Sequence, residues 1–402
     1  PIMLDLWARK KGINLVGTGD FTHPAYFKEL KEKLVEDGSG FLELKVPSNE
    51  KRVTSKTKFM LTSEIACIYK HRGKARRVHI CVNAPSFDVV KKINEGLGKL
   101  KCNLKSDGRP IIGLSAKKLA EVCWSVNEKV MIIPAHAWTP WFAIFGSKSG
   151  YDSIEECFEE YADRIFAIET GLSSDPAMNW RLSQLDRITL VSNSDAHSPA
   201  NLGREATVFD LGELTYESAY QALKNKKQKK VLYTVEFFPQ EGKYHYDGHM
   251  SCNYSCSPQE AKKNKNLCPK CKRQLVLGVD HRVEDLSDRE FGFEPKLMIP
   301  YKSIIPLQEI IAECQQKNKT AKAVIAQYEE MVVRGGSEFN ILLNLSRQEI
   351  KNISDALIAE AVMRMREGKI MAIPGYDGVY GVVKVFNNEE LLDKKPQQKG
   401  LF

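Results

Sequence analysis

Short apolar runs recur along the first half of the chain, separated by helical spacing or polar turns. They fall at 13–18, 59–62, 78–82, 130–134, 165–168, 188–191 and 206–209. Helical patterns fill several gaps, as at 115–127 and 151–161. Continuous apolar runs of this length read as buried strands. Their β-then-α order predicts a parallel sheet, open or closed into a barrel. The second half differs. Helical periodicity covers Thr320 to Val333 and stops at Gly335-Gly336, and a further amphipathic helix runs from Gln348 to Arg366. At 370–383 a strand, a glycine-rich turn and a second strand follow, with Asp377-Gly378 as the hairpin signal.

The ends of the apolar runs carry the chemistry. The run at 188–191 leads into Ser192-Asn193-Ser194-Asp195-Ala196-His197-Ser198-Pro199. Strand alternation puts Asp195 and His197 on one face, and a carboxylate beside an imidazole suits a divalent metal. A helix-capping Asp195 with a locally bonded His197 accounts for this stretch equally well. Asp20 ends the first run, Glu64 follows the second, His79 lies inside the third, His136 ends the fourth and Glu169 the fifth. Recurring along one sheet edge, these residues read as a polynuclear metal centre. Each has a local alternative. Asp20 is placed to cap a helix near Pro24, Glu64 to pair with Arg76 or Arg77, and His79 to sit in the core. Glu169 and Asp175 equally suit bracing of the loop 171–174.

At 402 residues the chain exceeds a single core. Its apolar and charged fractions are those of a soluble globular protein. A net charge of +8 permits a polyanionic partner without establishing one. No apolar run approaches a membrane span and no signal peptide is visible, which gives the expectation of a cytoplasmic protein. Of ten cysteines, Cys252, Cys256, Cys268 and Cys271 are clustered. Two short-spaced pairs predict a closed structural zinc site with four thiolate ligands. The lysines and arginines around it suit a nucleic-acid clamp, and such modules also serve as protein spacers. The chain starts at Pro1 inside an apparent helix, so an upstream segment is expected.

Asp20, Glu64, His79, Pro134-Ala135-His136 and Ser194-Asp195-Ala196-His197 resemble the metal motifs of the polymerase-and-histidinol-phosphatase (PHP) phosphoesterases. The whole layout resembles one branch of them, endonuclease Q. That resemblance adds Gly17-Thr18-Gly19-Asp20, Arg77-Val78-His79, Ala137-Trp138-Thr139-Pro140-Trp141 and Gly171-Leu172-Ser173-Ser174-Asp175. It also adds Leu202-Gly203-Arg204-Glu205, the four cysteines and Pro374-Gly375-Tyr376-Asp377-Gly378, and so covers nearly the full chain. It implies an α/β fold: a PHP-type distorted (β/α)7 barrel at 1–235 with its first strand missing, a four-cysteine zinc module at 236–295, and a helical C-terminal region with a terminal hairpin at 296–402.

The activity implied is that of a DNA repair endonuclease. It hydrolyses the phosphodiester 5′ to deaminated bases (uracil, hypoxanthine, xanthine) or abasic sites by metal-activated water. Glu64 and Asp195 are the expected catalytic carboxylates. Asp20, Glu64, His79, His136, Asp195 and His197 are the expected ligands of two or three divalent metals (Zn2+, Mg2+ or Mn2+). Cys252, Cys256, Cys268 and Cys271 are expected to hold structural Zn2+, and Arg77, Arg204 and Tyr376 to meet nucleic acid. The expected partners are damaged DNA and a sliding clamp, with no membrane. One departure stands out. The family's His-x-His pair on the first strand has no counterpart before Asp20. Two other readings compete: a PHP phosphatase acting on a small phosphate monoester, and a non-catalytic DNA-binding protein with an incomplete metal site.

Overall fold

A computed structural model describes residues 1–45, 57–106, 108–387 and 389–390. Most of the residues beyond Asn387 thus lie outside the described residues. The chain opens with α1 (Ile2–Lys11), β1 (Leu15–Gly17), α2 (Pro24–Lys33), β2 (Leu34–Glu36) and β3 (Leu42–Leu44). Two long strands follow, β4 (Lys58–His71) and β5 (Lys74–Ala84). Next come α3 (Phe87–Lys99), β6 (Ile111–Ile112), α4 (Ala116–Val126), β7 (Met131–Pro134), α5 (Ile154–Phe158) and β8 (Ala167–Glu169). Then come α6 (Pro176–Trp180), β9 (Thr189–Val191), β10 (Ala206–Phe209), α7 (Tyr216–Lys224) and β11 (Val231–Glu236). Helix starts follow local chemistry. Ser86, Ser115, Asp175 and Thr215 each accept a backbone N–H from the first turn of α3, α4, α6 and α7. His23 does the same for α2, with Pro24 at its first position.

The expected parallel sheet is found only in part. The main sheet runs β2-β3-β4-β5-β7, with β1 and β6 added parallel to β4. β4 and β5 pair antiparallel along their length, from Leu61↔Ala84 to His71↔Lys74. The reason is the connection between them. A parallel pair needs a crossover of about a dozen residues or more, and only Arg72-Gly73 separates these strands. Both residues have positive φ (49° and 75°), as a type I′ hairpin turn requires. Elsewhere β8 and β9 are parallel, and β11 lies antiparallel to β10 and parallel to a later strand. Val89, Val90, Ile93 and Leu97 of α3, with Leu119, Ala120 and Cys123 of α4, share one core with Ile65, Cys67, Ile80 and Val82 of the hairpin.

The chain continues through β12 (Asp247–His249), β13 (Tyr254–Cys256), α8 (Pro258–Lys263), α9 (Val279–Leu286) and β14 (Tyr301–Ser303), the parallel partner of β11. Four helices follow: α10 (Leu307–Gln315), α11 (Lys322–Gly335), α12 (Arg347–Ile353) and α13 (Ala356–Arg366). They enclose a second core around Ile310, Tyr328, Met331, Ile358 and Val362. The single helix read over 348–366 is two. Asp355 ends it locally by accepting N–H groups from Leu357 and Ile358, and so caps α13. β15 (Met371–Ile373) and β16 (Val382–Lys384) form the expected hairpin. Among the described residues no helix is long and apolar enough to cross a membrane.

α1 is tied to the C-terminal helices by an ion pair taken out of water. Lys11 Nζ lies 2.5 Å from Glu338 Oε2, and both side chains are buried. Glu338 also accepts from Tyr328 Oη at 2.7 Å and from the Leu307 N–H at 3.0 Å. Replacing Lys11 by Met leaves the carboxylate buried without its cation. The expected loss is about 3–5 kcal/mol in urea denaturation, with much of it recovered in Lys11→Met/Glu338→Gln. A Lys11→Met chain as stable as the parent contradicts this.

Candidate active site

Glu64, His79 and His136 converge on one point. In the hairpin Glu64 stands opposite Cys81, and Ala66 opposite His79. The two-residue period therefore sets Glu64 and His79 diagonally on one face. His79 Nδ1 lies 2.9 Å and His136 Nε2 3.1 Å from Glu64 Oε1, and the two ring nitrogens are 3.0 Å apart. β7 pairs with β5, and the Ala135 N–H donates to the His79 carbonyl, which delivers His136. One ligand atom from each of the three residues lies within 4.8 Å of the others.

The loop after β7 holds the imidazole in place. His136 adopts a left-handed φ of 29°. Its Nδ1 is 3.0 Å from Thr139 Oγ1, and its N–H donates to Glu169 Oε2 at 2.8 Å. Asn193 donates to the other oxygen of Glu169. Gly171 passes so close, with φ 64°, that a Cβ there would stand 2.6 Å from the His136 Cβ. Phe142 stacks on His79 with ring centroids 4.6 Å apart.

Charge is arranged around one ionised carboxylate. Burial pushes Glu64 up, but hydrogen bonds from His136 and His79 and the Arg109 guanidinium outweigh it, and hold the carboxyl well below its usual range. Burial lowers His79 to about 4 despite its bond to Glu64, so that ring is neutral at pH 7. Burial also opposes charge on His136, but Glu64, with Glu169 and Asp195 behind it, raises it overall. Burial lifts Glu169 to about 7. An ionised carboxylate beside a neutral imidazole is a donor set that fits a divalent ion.

Comparison with known proteins sets this geometry in a family. The lesion-specific endonuclease PfuEndoQ of Pyrococcus furiosus superposes with a TM-score of 0.83 at 31% identity, over 98% of this chain and 92% of that one. Endonuclease Q in complex with a 27-mer duplex substrate, an abasic lesion at its active site, superposes with a TM-score of 0.82 at 30% identity. That likeness covers 100% of this chain and 94% of the other. The chain belongs to the endonuclease Q family. A family model, the MJ0043 C-terminal domain, matches residues 306–369. The uncharacterized protein MJ0043 of Methanocaldococcus jannaschii is 34% identical over 255 residues, 62% of this chain, and the match spans 31% of MJ0043. The uncharacterized protein YqxK of Bacillus subtilis is 27% identical over 382 residues, 93% of this chain and 89% of YqxK.

Within this endonuclease Q fold, the six expected catalytic-site ligands are not all drawn together. Glu64, His79 and His136 form the close set. Asp195 is near enough to raise His136, and Asp20 to act on Tyr26. His197 is 77% exposed, and its Nε2 lies 3.6 Å from Asp195 Oδ1. The alternation argument fails here because β9 stops at Val191 and Asp195 sits in a left-handed turn, φ 42°. Glu64 also stands within a long strand rather than at a strand end, and His79 lies inside its strand as expected. Arg109, on Glu64 and His79, had no signal in the sequence.

The cysteine module needs a correction. The atoms that converge belong to His249, Cys252, Cys268 and Cys271. Cys256, expected as a ligand, instead packs with Ala261, Cys268 and Leu275 in the small core of the module. The signal was present: His249-x2-Cys252 repeats the spacing of Cys268-x2-Cys271, whereas Cys252-x3-Cys256 does not. Three thiolates and an imidazole make a zinc-compatible tetrahedral set. Asp247 anchors the module by accepting from Gly278 N–H at 2.7 Å and pairing with His281 Nδ1 at 2.5 Å.

Of the residues expected to meet nucleic acid, Arg204 and Tyr376 make contacts within the chain and Arg77 is exposed. Arg204 donates to the carbonyls of Ser194 (2.7 Å) and Asp195 (2.9 Å), bracing the turn that carries Asp195. Tyr376 packs so close to Gly248 that no side chain fits there, and its hydroxyl donates to Asn253. Tyr380 is 68% exposed beneath Lys243. Arg77 is exposed, with its guanidinium 5.7 Å from the Phe142 ring.

Two outcomes are expected. His249→Ala weakens zinc retention in chelator competition by at least the ~10–100-fold that loss of an outer partner costs, while Cys256→Ser leaves it near the parent value. The reverse pattern restores the four-cysteine set. The second concerns Glu205 and Glu236, both buried. Burial, with Glu236 and Glu169 nearby, pushes Glu205 well up, and burial lifts Glu236 to about 8. The folded chain keeps these protons while the unfolded chain releases them near pH 4.3, so stability falls as pH rises from about 5 to 8. Glu236→Gln flattens that fall in urea midpoints, and an unchanged slope rejects the assignment.

Proposed function

We propose that the chain is a metal-dependent DNA repair endonuclease that hydrolyses the phosphodiester 5′ to a deaminated or abasic nucleotide. Its architecture in this reading is a PHP-type barrel (1–235), a zinc module (236–295) and a helical C-terminal region (296–402). The observation that carries the reading is the convergence of Glu64, His79 and His136. The near full-length likeness to an endonuclease Q bound to duplex DNA supports the substrate class. A small phosphate monoester would need neither the cysteine module nor the long C-terminal half. The sliding clamp has no support here and is left out of the reading.

Glu64, His79 and His136 would hold divalent metal, with Asp195, Asp20 and His197 as further ligands. When bound, such ions supply a water of lowered pKa and neutralise phosphate charge. The protein's own part is orientation. Thr139 and Glu169 fix the His136 ring and backbone, and Phe142 covers His79. Beside His136, through Thr139, opens a cavity of ≈ 220 Å³ lined by Trp141, Ser173, Lys243, Tyr244 and His245. Trp141 and Tyr244 meet edge to face at 5.8 Å. An extruded nucleotide suits this aromatic space, and extrusion costs least where a base is mispaired or missing.

The test is cleavage of end-labelled duplexes carrying uracil, hypoxanthine, an abasic site or no lesion. Lesion-bearing strands should be cut on the 5′ side and the intact duplex spared. Glu64→Gln and Asp195→Asn should each lower the rate by ~100-fold or more. Parent-like nicking by both variants rejects the site, and equal cutting of intact DNA rejects lesion recognition.

A further inference from the structure

Arg109 is a cation at the trio, and a guanidinium takes no part in holding metal. Its Nη2 lies 3.0 Å from Glu64 Oε2, the oxygen opposite the one that meets the imidazoles. Its Nη1 lies 3.4 Å from His79 Nε2. The Arg109 side chain keeps 29% of its surface and Glu64 keeps 19%, so the guanidinium forms the outer rim of the cluster. Its Nε is buried without a hydrogen-bond partner. The residue is held firmly. Pro110 accepts the Ala66 N–H, and β6 pairs with β4 through Ala66↔Ile111. The guanidinium is therefore anchored to the strand that carries Glu64, two residues away.

We propose that Arg109 is a catalytic residue that binds the non-bridging oxygens of the scissile phosphodiester. This rests on the endonuclease reading above. A guanidinium offers five N–H donors in a rigid fork matched to phosphate, and Glu64 and His79 engage only two of them. Were Glu64 and His79 to hold a divalent ion, the two donors they engage would be free for the substrate as well. In hydrolysis a water oxygen bonds to phosphorus as a bridging P–O bond breaks. A proton passes from the water to solvent, and the departing alkoxide gains one. Arg109 transfers no proton. It remains charged and offsets the negative charge that grows on the non-bridging oxygens.

The experiment compares the parent full chain with Arg109→Ala and Arg109→Lys, each checked for bound metal. Arg109→Ala should retain the parent metal content and lose ~10²–10³-fold in single-turnover nicking. The slope of log affinity against log salt for duplex DNA should fall by about 1. Added guanidinium ion should restore part of the rate, and Lys should restore less because it lacks the fork. Nicking at the parent rate, an unchanged salt slope, or loss of metal together with activity overturns the proposal. A parent chain that nicks no duplex overturns the endonuclease reading and this one with it. A parent that nicks beside an equally active Arg109→Ala overturns only this one.

Discussion

Placing the Glu64 carboxylate in the middle of a long hairpin strand, largely out of water, is unfavourable unless N–H donors or cations meet it. Two imidazoles and a guanidinium do so, each from a different stretch of chain. That requirement fixes much of the surrounding structure. β5 must pair with β4 in the register that sets His79 diagonal to Glu64. β7 must lie on the far side of β5 to present His136. A one-residue slip of either pairing would turn an imidazole to the opposite face and leave the carboxylate buried and short of donors.

The cysteine module and the C-terminal hairpin bear on the same site from further away. The segment 239–245 lines the cavity beside His136 and leads directly into the module. The C-terminal loop grips it: the N–H groups of Gly375, Gly378 and Gly381 donate to the carbonyls of Gln240, Lys243 and Glu241. Asp377 accepts from the Met250 N–H, between His249 and Cys252. The candidate metal set at His249 and Cys252, the docked hairpin and the cavity wall are therefore mechanically continuous.

Composition and pattern made some of this legible and hid the rest for definable reasons. The strand positions and the chemistry of Glu64, His79 and His136 follow from apolar runs that end in, or contain, ligating residues. Strand direction did not follow, because apolar runs carry no sign of direction. The two-residue link at Arg72-Gly73 was the clue to an antiparallel pair. Counting cysteines alone favoured Cys256 over His249, whereas matching the spacing favours the histidine. Arg109 was invisible because the loop that carries it lies outside every apolar run, and only the parallel pairing of β6 with β4 brings it to Glu64.

Three candidate site residues, Asp20, His136 and Asp195, share a left-handed backbone with φ of 41°, 29° and 42°. For residues other than glycine this costs of order 1–3 kcal/mol each, a large fraction of a typical net stability. Each turn has contacts that offset the strain. Gly19 N–H donates to Thr62 Oγ1 and His23 N–H to the Asp20 carbonyl. Glu169 takes the His136 N–H. Arg204 clamps the carbonyls of Ser194 and Asp195. Such turns break the alternation of the preceding strand, so side chains following β1, β7 and β9 are aimed by the turn rather than by the sheet. That accounts for His136 reaching Glu64 while His197, beyond the turn at Asp195, points to solvent. It also gives Arg204 and Glu169 a positional role that requires no contact with substrate.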